Sequence, residues 1–142
     1  MKKYLEGTYS NQYCSIEVAC YPRTPSLQAS LRTNSGILIP ITKNLGSTMP
    51  LYQCVLADGI FGPGNDEFMA YIERNELGYI VDYKRYDRDP VTNRPRRVAA
   101  LFRFYPERLK FFDPYGCKQY ERHEEKLLRK LYCSEPTLKI AC

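Results

Sequence analysis

Apolar and polar positions alternate early in the chain. From Tyr13 to Tyr21, Cys14, Ile16, Val18 and Cys20 fall on one side of an extended segment, the period of two that marks a strand with one buried face. Pro22 and Pro25 bracket a turn, after which Leu27, Ala29 and Leu31 repeat the alternation. Asn34-Ser35-Gly36 signals another turn, and Ile37 to Thr42 reads as a third strand. Pro40 interrupts it and removes a ladder donor, which places that strand at an edge. Leu51 to Leu56 is a fourth strand, so the first half reads as an antiparallel meander.

The period then changes. Asp58 to Gly64 is a turn cluster, and Asn65 or Asp66 caps a helix whose inner face carries Phe68, Met69, Ile72 and Asn75. Gly78 is the expected stop of that helix. Tyr79 to Tyr86 and Val98 to Tyr105 are two further strands. Between them Asp87 to Arg97, with two prolines and no apolar period, predicts a mobile hairpin tip. Leu109 to Phe112 reads as a short strand before the turn Asp113–Gly116. A second helix is expected over Lys118 to Tyr132, with Tyr120, Leu127, Leu128 and Leu131 facing inward. Pro136 ends it, and the tail Thr137–Cys142 offers an edge strand. The expected fold is α+β: one domain over 1–142, a curved antiparallel sheet of about six strands packed by two helices.

Composition agrees with a packed domain. The 142 residues are 44% hydrophobic and 26% charged, ordinary values for a globular chain. No apolar run approaches the ~20 residues that cross a bilayer, and no apolar segment follows the basic pair at the start, so neither a membrane span nor an export signal is expected. The six cysteines, Cys14, Cys20, Cys54, Cys117, Cys133 and Cys142, then read as reduced thiols of a cytoplasmic protein. Thirteen tyrosines and no tryptophan suit both half-wet strands and a contact surface.

Candidate chemistry is sparse. His123 is the one histidine, at the border of the second helix's apolar stripe, where it reads first as cover for the core. Asp58, Asp66 and Glu67 are carboxylates explained by turn and cap positions, and a nuclease built on Asp58 and Glu67 is the weakest functional alternative. Gly59 to Gly64 lacks the spacing and the Lys-Ser/Thr pair of a phosphate loop. For zinc, Cys14 and Cys20 lie roughly 20 Å apart along one strand. Cys117 and His123, before and within the second helix, can converge with Cys20 or Cys54 as a third ligand. One structural zinc on Cys117, His123 and Cys20 is the metal candidate, and buried free thiols are the plainer reading.

Charge is distributed unevenly. Lys84 to Lys110 holds nine basic residues against three acidic ones, a net +6, whereas the whole chain carries +5. Tyrosines and phenylalanines are interleaved with them. Arginine and tyrosine together are preferred anchors of protein interfaces and also meet nucleic acid. The expected contact surface is Tyr83, Arg85, Tyr86, Arg88, Arg94, Arg96 and Arg97.

The stretch from Asn44 to Val81 resembles a family of small domains carried by phages and conjugative elements of Gram-positive bacteria. The resemblance rests on the pair Asn44-Leu45, the apolar strand ending in Asp58, the turn and short helix, and the closing Asn75-Glu76-Leu77-Gly78. Family members show an Asn-rich turn after the aspartate, where this chain has GIFGPGND. The resemblance implies an anti-CRISPR type of protein: a stoichiometric, non-enzymatic inhibitor of a type II CRISPR effector nuclease in the bacterial cytoplasm. A basic chain is a poor mimic of DNA, so capture of a protein surface is expected rather than a polyanion decoy. The alternative is a basic nucleic-acid-binding accessory protein of a phage or plasmid.

Overall fold

The computed structural model describes residues 3–57, 66–88 and 90–133, with the side chains at 85–88, 95–97, 132 and 133 left aside. Its architecture is α+β. Three strands, β1 (Cys14–Cys20), β2 (Leu27–Thr33) and β3 (Leu38–Pro40), form one antiparallel sheet in that order. β4 (Thr42–Lys43), β5 (Gln53–Leu56), β6 (Gly78–Arg88) and β7 (Pro95–Phe104) form a second, ordered β4-β5-β7-β6. The helices are α1 (Asp66–Arg74), α2 (Pro106–Phe112) and α3 (Pro114–Cys133).

The expected single curved sheet is therefore two sheets, divided at Pro40. That residue ends β3 with no N–H to offer. The next residue bridges the sheets: the Ile41 N–H donates to the Ala29 carbonyl of β2 at 2.9 Å, and the Ile41 carbonyl accepts from Ala57 N–H at 2.8 Å beyond β5. Residues 38–43 are one extended segment whose halves pair with different sheets. β3 and β4 are each an edge, as the proline predicts.

β1 and β2 pair without a shift from Cys14↔Thr33 to Cys20↔Leu27. Their alternation buries Cys14, Ile16, Val18, Leu27, Ala29 and Leu31 in the main core. Phe68 and Ile72 of α1, Phe102 and Phe104 of β7, and Tyr120 of α3 complete it. The apolar face of α1 matches the sequence period, with Tyr71 buried in addition.

Three local expectations are corrected. The stop of α1 is Glu76, not Gly78. Glu76 takes a left-handed φ of 52°, and the bonds Glu76 N–H to Glu73 and Leu77 N–H to Ile72 close the helix end in the manner glycine usually serves. Gly78 instead starts β6, where a Cβ would collide with the Arg103 carbonyl oxygen and the Phe102 ring across the ladder. Leu109–Phe112 is helical, not a strand. Pro106 stands at the first position of α2 after an extended Tyr105, and its preset φ starts a helix. Leu131 is exposed although it continues the stripe of Cys117, Tyr120 and Glu124 at helical spacing: Tyr120 is buried, Leu127 and Leu128 are half-buried, and burial is lost by Leu131 as α3 runs on. Asp58, the Asp58–Gly64 turn and the tail strand lie outside the described residues.

Asp113 fixes α3 onto the sheet. One carboxylate oxygen accepts from Gly116 N–H and caps the helix, and the other accepts from Val18 N–H of β1, both at 2.9 Å. Gly116 approaches β1 so closely that a Cβ would strike the Val18 carbonyl and the Asp113 carboxylate.

Candidate interaction surface

β6 and β7 pair from Gly78↔Phe104 to Arg88↔Pro95, far beyond the reach of β5, which meets β7 only at Gln53↔Arg103 to Val55↔Leu101. The outer part of the pair is therefore a two-stranded ribbon. A bulge between Ile80 and Asp82 sets its phase. Before the bulge, Tyr79 is exposed while Ile80 packs on the core; after it, Asp82, Tyr83 and Lys84 are all exposed, so both sides of the strand are wet. Bulges bend and twist a ribbon away from its sheet.

One side of the ribbon base is braced. Ala99 is buried with Met49 and Val55 in a small cluster that Leu45 and Leu101 border. The other side carries exposed apolar surface, with Tyr83 at 53% and Val98 at 49% of full exposure. They belong to rungs two apart, Tyr83↔Ala100 and Arg85↔Val98, and so to the same side. Arg94 lies exposed at the far end. Of the predicted contact residues, Tyr83 and Arg94 are thus on the ribbon surface. Arg85, Tyr86, Arg88, Arg96 and Arg97 belong to its paired backbone, and their side chains lie outside the described residues. The expected tip from Asp87 to Arg97 is shorter than the sequence implies, since its ends pair as strand.

The metal candidates are not brought together: among the described residues no three His, Cys, Asp or Glu side chains are arranged to hold an ion. Cys117 is buried against the Tyr52 hydroxyl, and burial pushes its thiol up to about 11 despite that bond. His123 lies six residues along α3, roughly 120° round the helix at 3.6 residues per turn, and its Nε2 meets the Pro22 carbonyl at 3.2 Å. Cys20 meets the Thr24 carbonyl at 3.8 Å, and burial raises its thiol as well. Burial raises the Cys54 thiol strongly. Thiolate chemistry needs the opposite shift.

Cys20 and His123 do share a groove of about 900 Å³ between the outer side of β1 and the start of α3, with Glu17, Gln28, Tyr115 and Gln119. Its charged groups already have partners. Glu17 receives Arg32 through Nε at 2.7 Å and a second nitrogen at 3.2 Å, and Asp113 serves two backbone amides.

Sequence reasoning missed the polar network behind α3. Tyr52 holds a left-handed φ of 64°. Its N–H donates to the Tyr120 hydroxyl at 3.0 Å, and its own hydroxyl donates to Glu121 at 2.6 Å. Tyr120 in turn bonds Glu124. Glu124 is 3% exposed, and its Oε2 has no hydrogen-bond partner. Burial raises its carboxyl above the usual range. Its place in a run of six charged or polar residues, Glu121 to Lys126, concealed it; only the seven- and four-residue spacing from Cys117 and Tyr120 points inward.

No protein-family model, curated protein or solved structure matches the chain.

Proposed function

We propose that this chain is a non-enzymatic inhibitor of the anti-CRISPR type, encoded by a mobile genetic element and acting in the bacterial cytoplasm. It holds a type II CRISPR effector nuclease by seating the β6–β7 ribbon on a protein surface. The observation that carries a binding role is the ribbon itself: a two-stranded projection on whose first strand Asp82, Tyr83 and Lys84 are exposed in succession, setting exposed Tyr83 and Val98 beside the most basic segment of the chain. Tyrosine side chains on a preordered backbone lose little entropy on docking, and arginine supplies a planar fork of donors for the partner. The class of partner rests on the Asn44–Val81 resemblance. The raised thiols favour binding over nucleophilic chemistry.

The test is a titration of DNA cleavage by a purified type II RNA-guided nuclease. Complete inhibition is expected at one equivalent, and the triple substitution Arg94→Ala, Arg96→Ala, Arg97→Ala should weaken it at least tenfold. Inhibition by a small fraction of an equivalent, or an unaffected triple variant, refutes the reading. A basic ribbon also fits the second reading, an accessory protein bound to bare nucleic acid. In that case the chain binds duplex DNA without the nuclease, and affinity falls steeply with salt.

A further inference from the structure

β6 ends the four-stranded sheet: among the described residues it pairs with β7 alone, and its other edge meets no strand. A bare edge is a template for a further strand. The phase of the ladder shows which peptide groups lie there. Phe104 N–H donates to the Tyr52 carbonyl on the β5 side of β7, and Tyr105 N–H to the Leu77 carbonyl on the β6 side, each at 2.8 Å. By alternation Ala100 turns its peptide groups the way Phe104 does, away from β6. The rung Tyr83↔Ala100 is therefore a non-hydrogen-bonded one, and the N–H and carbonyl of Tyr83 point out from the sheet edge. The Tyr83 N–H accordingly donates to the carboxylate of its neighbour Asp82, at 2.8 Å. Asp82, Tyr83 and Lys84 are all exposed.

We propose that this edge pairs with the same edge of a second copy of the chain, antiparallel, about a two-fold axis at Tyr83. Such an axis sets one residue against its own copy and thereby fixes every other rung. At Asp82, Lys84 or Arg85 it would oppose like charges, which destabilises a rung. At Val81 it would fall on the bulge between Ile80 and Asp82. At Tyr83 it sets Asp82 of each copy opposite Lys84 of the other. Opposite charges and facing aromatic rings both stabilise a pair of strands. The two Tyr83 residues then exchange N–H···O bonds, and Asp82 leaves its own Tyr83 amide for the lysine. A charged residue and a bulge ordinarily shield an edge. Here the shield is complementary to itself, so it admits one register. The resulting sheet runs without a break from β4 of one copy to β4 of the other. The pairing takes the edge of β6 and leaves that of β7 beyond β5, so it does not depend on the ribbon's seat on a nuclease.

Sedimentation of the full chain in reducing buffer, over a range of protein concentrations and at two salt concentrations, tests this. A reversible dimer is expected, weaker at high salt. Asp82→Lys and Lys84→Asp each turn the attractive rungs into repulsive ones and should weaken it by roughly tenfold or more. An equimolar mixture of those two variants should dimerise as tightly as the parent chain, since each again faces its opposite. Tyr83→Pro removes an outward N–H that β7 does not use and should abolish the dimer. Thermal melts at low concentration, unchanged from the parent, establish that the variants remain folded. A chain that stays monomeric, a dimer that survives either charge substitution, or a mixture that fails to recover it overturns the proposal. The assay contains no nuclease, so its failure leaves the inhibitor reading standing, and inhibition by a strictly monomeric chain refutes the edge pairing alone.

Discussion

The β1–β2 hairpin and the β6–β7 hairpin are built from the same antiparallel ladder and put to opposite use. In β1–β2, seven unshifted rungs place an unbroken row of small and branched apolar residues in the core. In β6–β7 the inner rungs do the same with Ile80, Phe102 and Phe104, and then, past a bulge, Asp82, Tyr83 and Lys84 are all exposed. Stability is thus concentrated in the first hairpin and in the base of the second. Tyr83, Lys84 and Val98 are exposed there, and none of them belongs to the described core.

Substitutions should expose this division most sharply at the core. Leu31→Ala, at a fully buried rung of β2, should cost about 2–5 kcal/mol in denaturant unfolding. Asp113→Ala removes the α3 cap and the bond to Val18 N–H together, and a loss of about 2 kcal/mol is expected in the same measurement. Glu124→Gln should move the other way. Its carboxyl is raised by burial from an ordinary 4.5. Its proton-linked stability is therefore fully present below that value and lost as pH rises through the higher folded-state value. The neutral amide should stabilise the chain by on the order of 1 kcal/mol near pH 7, with the gain vanishing in melts at low pH. Tyr83→Ala on the ribbon should change stability by no more than about 0.5 kcal/mol while weakening partner capture. A core-sized loss there would erase the contrast between the hairpins.

What the sequence made legible follows from where one force dominates. The alternation of Cys14, Ile16 and Val18 and the helical period of Phe68 and Ile72 are direct consequences of burial on one side. Pro40 announced an edge because its missing donor is a covalent fact. Other features depend on contacts between distant segments. Gly78 reads locally as a helix stop, yet its role is clearance for the Arg103 carbonyl, 25 residues away in sequence. The α2 segment has an apolar composition fitting either period, and only Pro106 decides it. Glu124 is hidden by its charged neighbours. The candidate surface was legible as charge, whereas the outward phase of Tyr83 emerged only once β6 and β7 were set side by side.

Ile41 has one further consequence. Its amide is held by the three-stranded sheet, and its carbonyl holds the Ala57 amide at the four-stranded one. The Ile41 proton should exchange with deuterated solvent when the first sheet parts, and the Ala57 proton when the second does. A single residue thereby links two independent clocks, and their ratio would tell whether this small molecule opens in one step or in two.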